Sequence, residues 1–181
     1  MILTGSEIDR QVSLGKIEIE PYDANKINPN SYNFALGQEL LTYEDNCLDV
    51  KTTPRVSTIK IGKNGHILRP GRLYLGNTIE KMGSGHFVPT FSARSSIARL
   101  GLFINLSASL GDIGYFGQWT LQLVAVQPVR VYAGMNIGQM MWWVPSGSIQ
   151  LYDGKYQNSM GPCCSRIAED FDTGSRDVSA K

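Results

Sequence analysis

The chain has 181 residues, a formal net charge of +1 and 42% apolar residues, the length of one domain with enough apolar material for a real core. Charged residues make up 18%, below the usual quarter, so part of the surface is expected to be covered by other subunits. Near-neutral charge argues against a nucleic-acid partner. The opening MILTGSEIDR lacks a basic segment leading into an apolar core, and no apolar run reaches the roughly 18 residues of a membrane span. Neither a secretory signal nor a membrane anchor is expected. Cys47, Cys163 and Cys164 are odd in number and form no C-x-x-C pair, so they read as free thiols in a reducing cytoplasm.

In chain order, Ser6 is placed to cap a short helix over EIDRQVSLG, with Ile8 and Val12 on one face and Gly15 as its stop. Strand signals follow at short spacing: KIEIE, VSTIKI, RLYLGNTIE, HFVPTF, LFINLSA, QWTLQLVAV, VRVYA and NIGQMMWWV. Turns rich in Gly or Pro separate most of them. Such a series predicts an all-β sandwich or barrel-like fold. ARSSIARLG interrupts it with one or two helical turns that open on a Ser cap and end at Gly101. Beyond Pro145 the chain turns polar and Gly-rich, and reads as an arm that begins near residue 146, with residues 169–181 as a flexible tail.

Three stretches hold residues suited to chemistry. Arg94, Ser95, Ser96 and Arg99 crowd hydroxyls, backbone N–H groups and guanidiniums at a helix start, which is a ready anion site or a capped helix with surface arginines. Asp112, Tyr115 and Gly117 share a tight turn. The carboxylate and ring suit a sugar, or else a hairpin Asp beside a core Tyr. Tyr152 and Lys155 lie in the arm, either to close over a ligand or as part of a solvated tail. His66 and His86 are the only histidines, and neither has a partner at zinc-ligand spacing.

Taken together and in order, MILTGSEI, INPNSYNFALG, LRPGRLYLGNTIE, ARSSIARLGL, GDIGYFGQWTLQL, AGMNIGQ and KYQN...SRI resemble the dCTP deaminase family of the trimeric dUTPase superfamily. The resemblance spans roughly residues 1–168, as one domain that includes the arm. It implies a distorted, jelly-roll-like β-barrel with short N-terminal and internal helices. It also implies a homotrimer with active sites shared between subunits and an arm that closes over the nucleotide. The implied partners are dCTP and dUTP, with dTTP as an inhibitor. Mg²⁺ would ride on the triphosphate, with no zinc.

Residue by residue, the resemblance assigns Arg94, Ser95, Ser96, Ile97, Ala98 and Arg99 to triphosphate binding and ordering of the reactive water. Within that segment Ser95 and Arg99 lie nearest the reacting carbon. Asp112 would read the 3′-hydroxyl, and Tyr115 would pack on the deoxyribose and exclude a 2′-hydroxyl. Ala108, Thr120, Leu121, Gln139, Tyr152, Lys155 and Ser159 would supply further nucleotide contacts. Ser159 stands where many members have Gln, and SASLG at 107–111 departs from the commoner patterns near the base.

Gln122 is the largest departure. The family strand reads T-L-E, and that Glu shuttles the protons of deamination; here the strand reads Thr120-Leu121-Gln122. An amide keeps the shape but accepts no proton near neutral pH. Alternation predicts Thr120, Gln122 and Val124 on the pocket face and Leu121, Leu123 and Ala125 against the barrel. Ser95, Arg99, the base and water are the expected partners of Gln122. Three readings follow. One is a dCTP deaminase in an inactive Glu-to-Gln form, as an introduced substitution would make. Another is a dUTP diphosphatase or a bifunctional enzyme forming dUMP. The third is a non-catalytic deoxynucleotide-binding regulator.

Overall fold

A computed structural model describes residues 1–172. Helix α1 (Gly5–Ser13) is followed by β1 (Glu18–Glu20), a 3₁₀ turn over Ala24–Lys26, β2 (Ile27–Asn28), β3 (Ser31–Ala35), β4 (Glu39–Tyr43) and β5 (Val56–Lys60). Next come β6 (His66–Leu68), β7 (Tyr74–Gly83), β8 (Val88–Ala93), α2 (Ser95–Ala98) and β9 (Leu102–Phe103). The order ends with β10 (Phe116–Ala125), β11 (Val129–Val131), β12 (Asn136–Trp143) and α3 (Glu169–Asp172). The expected mainly-β, jelly-roll-like fold is what forms. One sheet runs β5-β4-β7-β10-β9 with β1 also on β7, a second runs β2-β3-β12-β8, and β6 pairs with β11.

Strand β10 organises the core. Leu121 and Leu123 are fully buried and Ala125 nearly so, while Thr120, Gln122 and Val124 are half-buried. That is the predicted two-faced alternation. An edge-to-face chain of rings links the sheets: Phe34 meets Phe91 at 6.1 Å, Phe91 meets Trp119 at 5.7 Å, and Trp119 meets Tyr115 at 4.8 Å. Tyr115 then meets Tyr152 of the arm at 6.0 Å. Buried aromatic pairs of this kind add to their area burial. They run from the core to one rim of the molecule.

Several local expectations need correction. The N-cap of α1 is Thr4, not Ser6, and Ser6 lies inside the helix. The chain turns helical earlier because Gly5 donates to the Pro29 carbonyl and Ile8 to the Thr4 carbonyl. Gly15 does end the helix, with a φ of 67°. Helix α2 has Arg94 at its N-cap and no side-chain cap, so the expected Ser cap is absent there. LFINLSA forms a ladder only over Leu102–Phe103. Beyond it the backbone bonds to Gln122 instead: the Gln122 N–H donates to the Ile104 carbonyl at 2.8 Å, and the Gln122 side chain accepts from the Leu106 N–H at 3.0 Å. Strand β3 shows no alternation because both of its faces are buried, while β2 and β12 are hydrogen-bonded along its two edges. The segment read as tail begins with α3, and residues 173–181 lie outside the described residues.

Burial pushes the Tyr32 and Tyr115 phenols up to about 12 from near 10. Unfolded tyrosines lose their protons near pH 10, whereas these keep theirs until about pH 12. Between those values the unfolded chain binds fewer protons, so stability falls as pH rises through that window. Each ring contributes on the order of 2 kcal/mol to that fall. The urea midpoint is expected to drop between pH 10 and 12, and to drop less in Tyr115→Phe. A midpoint that stays level over that range contradicts the assignment.

Candidate active site

The aromatic chain ends at a cleft of about 400 Å³, within the usual range of small-ligand sites. Its walls are Tyr43 of β4, Leu75 of β7, Phe91 of β8, and Trp119, Thr120 and Gln122 of β10. The turn before β10 adds Ala108, Leu110, Gly111, Asp112 and Tyr115, and the arm adds Tyr152, Tyr156, Ser159, Cys163, Cys164 and Ser165. Trp119 and Thr120 are adjacent yet both reach the cleft. The β10–β7 register shifts between Gln118 and Thr120, and a bulge of this kind re-aims side chains.

The loop at 105–111 spans the two sheets. The Asn105 side chain donates to the Phe91 carbonyl at 3.2 Å, Phe91 donates to the Ser109 carbonyl at 3.0 Å, and Gly111 donates to the Pro89 carbonyl at 2.9 Å. Its fourth anchor is Gln122. The Leu106 N–H needs an acceptor, so it dictates that the amide turns Oε1 toward the loop. Nε2 makes no hydrogen bond among the described residues, and Gln122 lines the cleft.

The arm is stitched to the barrel by backbone groups. Tyr152 donates to the Ile113 carbonyl at 2.7 Å, and Gln118 donates to the Ser159 carbonyl at 2.9 Å. The Gln157 side chain mimics a strand, accepting from the Phe116 N–H at 2.9 Å and donating to the Gly114 carbonyl at 2.6 Å. Cys163 donates to the Thr120 hydroxyl at 3.1 Å, and Ser165 donates to the Tyr43 hydroxyl at 3.2 Å. Gly117 allows this closeness: a Cβ there would lie 2.7 Å from the Tyr115 hydroxyl and 2.9 Å from the Ser159 carbonyl oxygen. Tyr115 donates its own hydroxyl to the Gln118 carbonyl at 2.8 Å, which holds the ring in place in the cleft wall.

Among the predicted site residues, Ala108, Asp112, Tyr115, Thr120, Gln122, Tyr152 and Ser159 line this one cleft. The others do not. Arg94, Ser95, Ser96 and Arg99 sit on and around α2, away from it, with Ile97 packed into the core and Ala98 in the same turn. The expected Ser95 and Arg99 partners of Gln122 are therefore replaced by Leu106 within this chain. The Leu121 side chain points into the core, and Gln139 accepts from Ser31 at 3.1 Å on the other sheet. Lys155 is paired with Asp170 at 2.7 Å. The cleft wall contains one charged residue, Asp112, and no Lys or Arg.

Sequence reading missed Tyr43, Leu75, Phe91, Trp119, Tyr156 and the cysteine pair as cleft residues. The packing of β4, β7 and β8, the bulge in β10 and the path of the arm bring them there. Among the described residues, no three His, Cys, Asp or Glu side chains are grouped so as to hold a metal ion, and no helix is long and apolar enough to cross a membrane.

A family model described as dCTP deaminase-like matches residues 2–144. The chain is 47% identical to "dCTP deaminase, dUMP-forming" of Clostridium beijerinckii over 173 residues, covering 95% of this chain and 99% of that protein. It is 44% identical to the protein of the same name from Leptospira biflexa, with the same coverage. The crystal structure of 2′-deoxycytidine 5′-triphosphate deaminase from Agrobacterium tumefaciens shares the fold with a TM-score of 0.64. Its identity is 18%, and the match covers 80% of this chain and 48% of that one.

Proposed function

This chain belongs to the dCTP deaminase-like family, and on that premise we propose that its β10 cleft binds pyrimidine deoxynucleoside triphosphates while Gln122 withholds the deamination step. The observation that carries this reading is the amide itself, held in the cleft wall by the Leu106 N–H. Deamination of dCTP to dUTP and ammonia needs a water to lose a proton as it attacks C4, and N3 and the leaving amine to gain protons. A carboxylate at this position would give one oxygen to Leu106 and keep the other for those transfers. The amide gives its oxygen to the same donor and keeps Nε2, a group that only donates.

Binding is served by the rest of the cleft. Asp112 accepts from the 3′-hydroxyl, and the Tyr115 ring packs on the deoxyribose, leaving no room for a 2′-hydroxyl. Ala108, Thr120 and Tyr152 enclose the nucleoside. Magnesium enters with the triphosphate as part of the substrate. The phosphates need cations that this cleft wall lacks, which supports a homotrimer in which Arg94, Ser95, Ser96 and Arg99 reach the cleft of a neighbouring subunit.

A second reading is favoured by the free Nε2 and by the name of the relatives, dUMP-forming. The donor suits a 4-oxo base, whose O4 accepts, and opposes the 4-amine of cytosine. The chain would then act on dUTP, hydrolysing it to dUMP and pyrophosphate. An opposed donor costs about 1–3 kcal/mol, so competition binding is expected to favour the α,β-imido analogue of dUTP over that of dCTP by about five- to a hundredfold. Gln122→Ala should bring the two together. Equal binding to the native chain contradicts the donor assignment.

A further inference from the structure

We propose that Cys163 and Cys164 form a dithiol site for trivalent arsenicals, and that filling it closes the β10 cleft. The two cysteines are adjacent in sequence, both half-buried, and both line the same cleft. In an extended strand neighbouring side chains point to opposite sides. Here the arm follows an irregular path after Pro162, and both residues contribute to one wall.

The backbone on either side is fixed. Cys163 donates to the Thr120 hydroxyl and Ser165 to the Tyr43 hydroxyl, so the pair is held between β10 and β4. Thr120 is two residues from Gln122 on the same face of β10.

The chemistry of the pair selects its ligand. A disulfide between adjacent residues is disfavoured, because Cα atoms across a trans peptide lie about 3.8 Å apart, short of the usual disulfide range. A structural zinc ion asks for four ligands, and no third His, Cys, Asp or Glu joins the pair among the described residues. Thiolates prefer soft partners, and a monosubstituted arsenical of the form R–As(OH)₂ asks for two thiols and no more. Two As–S bonds form and two As–O bonds break. The two thiol protons leave with the two hydroxyls as water, and no electrons are transferred. The bound organoarsenic group would stand in the cleft beside Thr120, Tyr115 and Tyr43. The closing effect rests on the nucleotide reading above; the dithiol site does not.

The test treats the full chain with phenylarsine oxide, then measures adduct mass and dTTP binding. One arsenical per chain is expected, on the peptide carrying both cysteines, with loss of dTTP binding. A dithiol such as 2,3-dimercaptopropanol should restore binding, and 2-mercaptoethanol should not. Cys163→Ser and Cys164→Ser, each compared with and without reagent, should lose the adduct and the sensitivity. Cys47→Ser, at the exposed thiol, should keep both. Adduct at Cys47, no adduct, or sensitivity kept in either single variant of the pair overturns the site. A full adduct with unchanged dTTP binding overturns the closing effect. If the untreated chain binds no nucleotide, the nucleotide reading falls and the closing effect with it, while the adduct map still decides the site.

Discussion

Replacing Gln122 with glutamate is expected to raise ammonia release from dCTP by about 10²–10⁴-fold over the chain as it stands. The substitution changes one atom type and leaves the geometry in place. The Leu106 N–H, now on the amide oxygen at 3.0 Å, would hold one carboxylate oxygen in the same way. The second oxygen would face the cleft as a proton acceptor. The remaining cleft groups, Asp112, Tyr115 and Thr120 among them, need not move. Ammonia can be followed by a coupled assay and products by chromatography. A variant no faster than the parent would remove position 122 from the proton transfers.

The second large effect separates the two halves of the site. Arg99 lies on the α2 turn, outside the cleft wall of its own chain. If it acts in a neighbour's cleft, a chain carrying both Gln122→Glu and Arg99→Ala is expected to be inactive alone. Mixed with the native chain, it should regain activity. The native chain supplies Arg99 and the double variant supplies the carboxylate. In the proposed trimer, a random equal mixture combines them at about one site in four. Co-expression followed by ammonia assay reads this out against the Gln122→Glu chain alone. No recovery in verified mixed trimers would place both groups in one chain.

Much of this was legible in the sequence. The alternation along β10 assigned the core face correctly and put Thr120 and Gln122 on the cleft, because a strand repeats every two residues whatever its partners; Val124, expected beside them, does not line the cleft. The turn at Asp112 to Gly117 was readable from its residue types. What escaped reading depends on contacts distant in sequence. Strand β3 carries no alternation, since both of its faces are covered. Trp119 reaches the cleft through a register shift that no local pattern encodes. LFINLSA reads as a strand, yet its ladder stops where a side chain from residue 122 takes over the hydrogen bonding. The α2 residues were found as a motif, but their place away from the cleft of the same chain is a property of the fold. The cysteines read as inert because nothing near them in sequence shows the arm crossing β10 and β4.

The most direct measurement uses the chain as it stands. Equilibrium dialysis against radiolabelled dCTP with Mg²⁺, followed by chromatography of the bound and free nucleotide, reports binding and turnover together. Nucleotide retained by the protein and recovered as intact dCTP is the result expected from Gln122 in the cleft wall. Conversion to dUTP or dUMP with ammonia, at the rate of the Gln122→Glu variant, would contradict it.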